Sequence, residues 1–190
     1  MTKILLYIFV FVVLLFSSVC SQTMDIPIEK QFPIFIKIFT FDRNLQQRAE
    51  DGLNILIVYQ KNFRTSFSAY EKIREVLRKI DINSIENIPI KYSYLDIDEF
   101  SLQSAITRDK INMIYLCPLR GVSLESITSI TRDRGILSFT GVSDYVESGI
   151  AIGLELKGEK TQIIINLTAA KAERTDFSSQ LLKLCKIIEE

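Results

Sequence analysis

Histidine is absent from all 190 residues. That absence removes Ser-His-Asp and Cys-His catalysis, histidine-ligated zinc and the usual general base near neutral pH. Neither sign of charge is in excess, with 23 lysines and arginines against 23 aspartates and glutamates. No basic field exists to gather phosphate backbones, so no nucleic-acid partner is expected. Seven glycines and four prolines are few for low-complexity linkers or repeat-rich folds. No Walker loop, GxGxxG or CxxC occurs. What remains is a chain that is 47% hydrophobic and 24% charged, enough at this length for one ordinary domain with a real core.

The first residues obey a different logic. Met1-Thr2-Lys3 gives a short positive start, Ile4 to Phe16 is an unbroken apolar run, and Ser17-Ser18-Val19-Cys20-Ser21 is small and mildly polar. This is the order of a secretory signal peptide, and the run is short for a membrane-spanning helix. Val19 and Ser21 suit cleavage before Gln22. The expected organisation is a signal peptide over 1–21 and a single domain over 22–190, exported. Lipid attachment at Cys20 ranks lower, because Ser17 and Val19 stand where lipoprotein signals prefer leucine and a small residue. An uncleaved anchor is the remaining alternative.

Export leaves Cys117 and Cys185 as an even pair in an oxidising compartment, able to form a disulfide. Closing so long a loop would add at most ~4 kcal/mol in the chain-entropy account. The competing reading makes both of them small apolar fillers. It is preferred, because free cysteines are among the most buried residue types.

Residues 26–39 carry Phe32, Ile34, Phe35, Ile36, Ile38 and Phe39 and read as a helix, with Pro33 predicting a kink or a late start. The segment is apolar on most sides. It is therefore either packed in the core or docked on something else. Leu53–Tyr59, Ile88–Leu95, Ile111–Cys117 and Ile136–Thr140 read as strands, and the first, LNILIVY, suits burial on both faces. Helices alternate with them, one carrying Phe67, Tyr70, Ile73, Val76, Leu77 and Ile80. Asp98 is expected to open a short helix and Ser123 to cap another. Two further strand-like runs flank Lys157-Gly158-Glu159-Lys160 and predict a hairpin. Asn166 and Asp176 are each placed to cap a helix, the last of which buries Phe177, Leu181, Leu184, Cys185 and Ile188. The fold class is α/β: a mainly parallel sheet with helices on both faces, a C-terminal antiparallel hairpin and a terminal helix.

Ligands of open parallel sheets bind beyond the carboxyl ends of the strands. There the loops offer Arg120, Ser123, Thr140, Ser143, Asp144 and Tyr145, enough hydroxyls and charge for a small polar ligand. Plain helix and turn capping by the hydroxyl groups is the preferred alternative. Asp96, Asp98 and Glu99 make the densest carboxylate cluster, but no Ca²⁺-loop spacing accompanies it. Asn166-Leu167-Thr168 matches a glycosylation sequon, while its capping role needs no sugar. Nothing assembles a nucleophile, a base and an oxyanion site. The expectation is a non-enzyme with no cofactor and no metal.

Several stretches carry a family resemblance. Gly149, Lys157-Gly158, Ile165-Asn166-Leu167 with Ala169-Ala170-Ala172, and Leu181-Leu182-Leu184 together resemble the closing segment of the YfiR-like family of periplasmic proteins. Cys185 stands where an alanine is usual. Lys37 to Leu45 is similar to the end of that family's first helix, without the Trp-Pro many members carry after it, and Thr140 to Tyr145 also fits. The resemblance implies regulation by protein contact, with an inner-membrane diguanylate cyclase restrained through its periplasmic domain. The expected contact surfaces are the Ile34–Asn44 segment, with Phe39, Phe41, Asp42, Arg43 and Asn44, and the Thr140–Tyr145 loop. A homodimer is a further candidate assembly. The competing class is a small-molecule binder using the strand-end loops.

Overall fold

Continuous apolar runs become the buried centre of one sheet. The computed structural model describes residues 24–189 apart from Asp51 and Asp81. The expected signal peptide over 1–21, with Cys20, lies outside the described residues. In chain order the elements are α1 (Ile28–Phe39), α2 (Leu45–Ala49), β1 (Leu53–Tyr59), α3 (Arg64–Ile80), β2 (Ser84–Ile85), β3 (Ile88–Asp96), α4 (Leu102–Arg108) and β4 (Met113–Leu116). Next come α5 (Leu124–Arg134), β5 (Leu137–Thr140), α6 (Asp144–Glu147), β6 (Ile152–Lys157), β7 (Lys160–Asn166), α7 (Leu167–Ala172), α8 (Ser179–Leu182) and β8 (Lys186–Ile188).

The eight strands lie in the order β2-β3-β1-β4-β5-β6-β7-β8. The pairs β3–β1, β1–β4, β4–β5 and β5–β6 are parallel, so the α/β reading with a mainly parallel sheet is correct. β6 and β7 form the expected antiparallel hairpin, turning at Gly158 with φ +64. Alternation along β1 sends Ile55 and Ile57 into one core and Leu56 and Val58 into the other. The first core lies under α1 and α3, and the second under α4 and α5. All four residues of β4 and all four of β5 are buried, the pattern of strands covered on both faces.

α1 runs without interruption from Ile28, with Pro33 inside it on the exposed side. Its other face carries the aromatic centre of the molecule. Phe35 meets the Phe139 ring at 4.9 Å and Phe39 meets it at 5.0 Å, while Tyr115 lies 5.3 Å from both Phe32 and Phe139. The docking alternative for this helix is therefore corrected: Phe32, Phe35, Ile38 and Phe39 are core residues, and only Ile34 and Ile36 are half-exposed. Gln31 sits in the same core. Its amide donates to the Ile26 carbonyl at 2.6 Å and accepts from the Tyr115 hydroxyl at 2.8 Å, which satisfies both buried groups.

Three local expectations change. Ser101, not Asp98, caps α4, while Ser123 caps α5 as expected. β2 and its turn, with Glu86 at φ +49 and Asn87 at φ +70, are additional to the expected elements; two left-handed residues in a two-residue turn match strand twist. The terminal helix shrinks to the single turn α8, capped by Ser178 rather than Asp176, and the chain then pairs in parallel with β7 as β8. Leu181 is buried but Leu184 is 71% exposed, so the apolar stripe does not continue far enough to hold a longer helix.

Phe35 is fully buried among aromatic rings, so Phe35→Ala is expected to cost about 3–5 kcal/mol. Ile34→Ala, on the half-exposed side, is expected to cost clearly less. Urea midpoints of the two variants check the assignment, and equal losses would contradict it.

Candidate functional site

The carboxyl ends of β1, β4 and β5 converge as the sequence suggested, but their loops are stitched to one another. Gln60, just past β1, is buried. Its side-chain amide donates to Asp98 Oδ1 at 2.8 Å and to the Arg120 carbonyl at 3.2 Å, and its carbonyl accepts from the Arg120 N–H at 2.6 Å. The Tyr145 hydroxyl accepts from the Leu119 N–H at 2.6 Å and donates to the Leu119 carbonyl at 3.1 Å. Thr140 Oγ1 donates to the Leu116 carbonyl at 2.9 Å and accepts from the Val142 N–H at 3.1 Å. Thr140 and Tyr145 are thus corrected from surface candidates to buried ties between loops. Arg120 stays exposed with its guanidinium 4.9 Å over the Phe63 ring. Ser123 is spent on its cap, accepting from the Ser126 N–H, and Ser143 and Asp144 remain at the rim, 3.4 Å apart.

The Phe39–Asn44 segment divides similarly. Phe39 and Asp42 are buried and are corrected as contact residues. Asp42 Oδ1 accepts from the N–H groups of Asn44 and Asp176, each at 3.0 Å. Phe41 is half-buried beneath Lys37, whose ammonium lies 5.5 Å from the ring. Arg43 forms an exposed ion pair with Asp176 at 3.1 Å, and the Asn44 amide donates to the Arg174 carbonyl at 3.0 Å. Cys117 and Cys185 are free, which corrects the disulfide and favours the filler reading. Burial pushes the Cys117 thiol far up and that of Cys185 up to about 11, so neither is a ready thiolate.

Sequence reasoning missed the opposite end of the sheet. Arg48, on α2, has a side chain only 4% exposed. Its guanidinium donates to the Gly135 carbonyl at 2.7 Å, the Glu173 carbonyl at 2.8 Å and Thr175 Oγ1 at 2.8 Å, and pairs with Asp42 Oδ2 at 3.6 Å. Burial lowers its pKa below the usual guanidinium range, and the nearby Asp42 and Glu173 offset that only in part. Glu173 is itself fully buried. Its carboxyl accepts from Thr131 Oγ1 at 2.6 Å, the Ser138 N–H at 2.8 Å and Ser138 Oγ at 2.8 Å. Burial still pushes its pKa up to about 7, against those hydrogen bonds. Beside this network, a cleft of about 480 Å³ opens at the amino ends of β1, β4 and β5. Arg48, Glu50, Asn54, Lys110, Arg134 and Arg174 line it. No local motif announces these residues, which come from segments far apart in sequence.

A fourth feature lies outside both ends. Tyr59 stacks on Tyr70 at 3.9 Å, Phe67 and Tyr94 flank that pair, and the Arg74 guanidinium covers Tyr70 and Tyr94 at 5.4 and 5.9 Å. Phe67 and Tyr94 are more than a third exposed, so this ladder is the main aromatic surface on the α3 side. Among the described residues no group of three or more acidic or cysteine side chains could hold a metal ion, and no helix is long and apolar enough to cross a membrane.

Comparison with known proteins places this geometry. A family model described as YfiR/HmsC-like matches residues 34–186. None of the curated proteins matches the sequence significantly. Among solved structures, a conserved domain protein from Vibrio cholerae O1 biovar El Tor superposes with a TM-score of 0.58 at 15% identity, covering 86% of this chain and 60% of that one. An ABC domain in complex with L-Trp from Streptococcus pneumonia gives 0.57 at 11% identity, over 85% and 62%. A substrate-binding protein with adhesive properties from Clostridium difficile, in its ligand-free, open form, gives 0.51 at 15% identity, over 77% and 57%. The chain spans about three fifths of the length of these structures, and the likeness is one of fold.

Glu173 generates a prediction about pH. Its pKa is about 7 in the fold against an ordinary value of 4.5, so the folded state holds the proton more tightly. That contribution is fully present below about 4.5 and is lost as pH rises through 7. Unfolding free energy is expected to fall by up to about 3 kcal/mol across that window from this group. Glu173→Gln should flatten the trend in urea titrations at pH 5, 6, 7 and 8.

Proposed function

The chain belongs to the YfiR/HmsC-like family, and on that premise we propose that it is a periplasmic regulator acting by protein contact. In this reading residues 1–21 direct export, residues 22–190 form the working domain, and the partner is an inner-membrane diguanylate cyclase restrained through its periplasmic domain. The effect is on cyclic-di-GMP inside the cell, and the protein itself is not a catalyst. The single observation that carries the reading is the family match, which runs over nearly the whole described fold. The stitched strand ends support it, because Gln60 and Tyr145 spend their side-chain polar groups, and Arg120 its backbone ones, on neighbouring loops rather than turning them toward a ligand.

With Phe39, Asp42, Thr140 and Tyr145 withdrawn into the core, the contact surface moves. Arg43 remains available at one end. The Phe67–Tyr70–Tyr94 ladder with Arg74 supplies the aromatic and arginine composition that carries binding energy at interfaces. Small-ligand binding at the strand ends is the second reading, favoured only by the shared fold with a substrate-binding protein.

Photo-crosslinking in cells, with the probe at Arg43 and separately at Tyr94, tests the proposal. Recovery of one membrane protein with a cytoplasmic signalling domain, together with raised cyclic-di-GMP when the gene is deleted, is the expected result. Self-crosslinks alone at both positions, with unchanged cyclic-di-GMP, would overturn it.

A further inference from the structure

We propose that the cleft at the amino ends of β1, β4 and β5 binds a small oxyanion carrying two or more negative charges. The volume of about 480 Å³ is within the range of small-ligand sites. Besides the buried Arg48, three exposed cations border it: Lys110, Arg134 and Arg174. Among the described residues none of the three forms an ion pair, whereas Arg43, Lys72, Arg74 and Arg108 each do. One described carboxylate, Glu50, lines the cleft, so its described side chains carry an excess of positive charge even with Arg48 set against Asp42. Guanidinium forks and an ammonium group are the donors that recognise phosphate or carboxylate oxygens.

The main chain that carries two of these cations is tied down on both sides of the cleft. The Lys110 carbonyl accepts from the Asn54 amide at 3.0 Å, and the Arg174 carbonyl accepts from the Asn44 amide at 3.0 Å. Gly135, at φ +66, leaves room for the Arg174 side chain; a Cβ there would fall 2.6 Å from Arg174 Cδ. Asn112 fixes the floor, donating to the Arg48 and Gly52 carbonyls at 3.2 and 2.9 Å and accepting from the Asn54 N–H at 2.9 Å. Five described non-glycine residues have positive φ, and Glu50 (+35), Lys110 (+48) and Arg174 (+60) all line this cleft. The other two, Glu86 and Asn87, are accounted for by the β2–β3 turn. Lys110 and Arg174 each follow a helix C-cap, where the Ile111 N–H donates to the Ile106 carbonyl at 3.1 Å and the Thr175 N–H to the Ala170 carbonyl at 2.9 Å; their left-handed turns are helix endings, and they fix where the two side chains leave the chain.

The proposal does not rest on the contact reading, and its test is separate. Purified protein is titrated with inorganic pyrophosphate and, in a second arm, citrate, by calorimetry at constant ionic strength held with chloride. Saturable one-site binding to either anion, with a raised melting temperature, is expected; the stronger arm says whether phosphate or carboxylate is the preferred chemistry. The double variant Arg134→Gln/Arg174→Gln should weaken binding by about tenfold or more, and Glu50→Gln should tighten it by about two- to fivefold. All three side chains are exposed, so melting without anion should stay within a degree or two of the parent. Absence of binding above the chloride control in both arms overturns the proposal, as does undiminished binding by a folded double variant.

Discussion

A guanidinium taken out of water must find acceptors for its donors and a negative charge for its own, or the fold around it fails. Arg48 meets most of that demand by drawing on segments that are remote in sequence, leaving its Nε without a hydrogen bond, 3.6 Å from Asp42 Oδ2. The Gly135 carbonyl at the start of β5, the Glu173 carbonyl and Thr175 hydroxyl beyond α7, and the Asp42 carboxylate below α1 all converge on it. Each of the two carboxylates nearby is also committed elsewhere: Asp42 organises the backbone of Asn44 and Asp176, and the Glu173 carboxyl ties α5 to β5. The register between the first helix, the middle of the sheet and the C-terminal segment thus passes through one side chain.

That arrangement gives the two ends of the parallel sheet different characters. At the carboxyl end, the Gln60 amide and the Thr140 and Tyr145 hydroxyls tie the loops to one another, although Asp96 Oδ2 stays buried without a hydrogen bond. At the amino end, the side chains of Arg48 and Glu173 are sunk below the surface while Lys110, Arg134 and Arg174 are left above it. Open α/β sheets place ligands at the first kind of end. Here the room and the excess of positive charge among the described residues are at the second.

The strands were legible because burial on both faces imposes an unmistakable run of apolar residues: LNILIVY is β1, and INMIYLC contains β4. The caps at Ser123 and Asn166 were legible for a local reason, since a side chain bonding an N–H three residues on leaves its trace in adjacent sequence. Where the outcome depended on remote partners, local pattern misled. Phe177, Leu181, Cys185 and Ile188 recur at helical spacing, yet the free edge of β7 captured Lys186–Ile188 as a strand. The resemblance drew attention to residues 39–44 and 140–145. What their side chains do was decided by burial, which turned Asp42, Thr140 and Tyr145 inward. The amino-end cleft left no trace at all, because no two of its cations are near neighbours in the chain.

The sheet's margins are both brief. β2 is two residues long and β8 three, at the ends of a sheet whose inner strands reach nine. An exposed strand of ordinary length is a template on which another chain can add itself, and two such templates on one molecule permit endless growth. Stubs of this size offer few unpaired backbone groups of their own, and they leave Lys91–Asp96 of β3 and Lys160–Ile163 of β7 without a strand on the outer side. A chain that, in the proposed reading, crosses a membrane unfolded must refold where other chains are doing the same. It finishes with Lys91 on the open stretch of β3 and Lys160 on that of β7, charges that an incoming strand would have to cover.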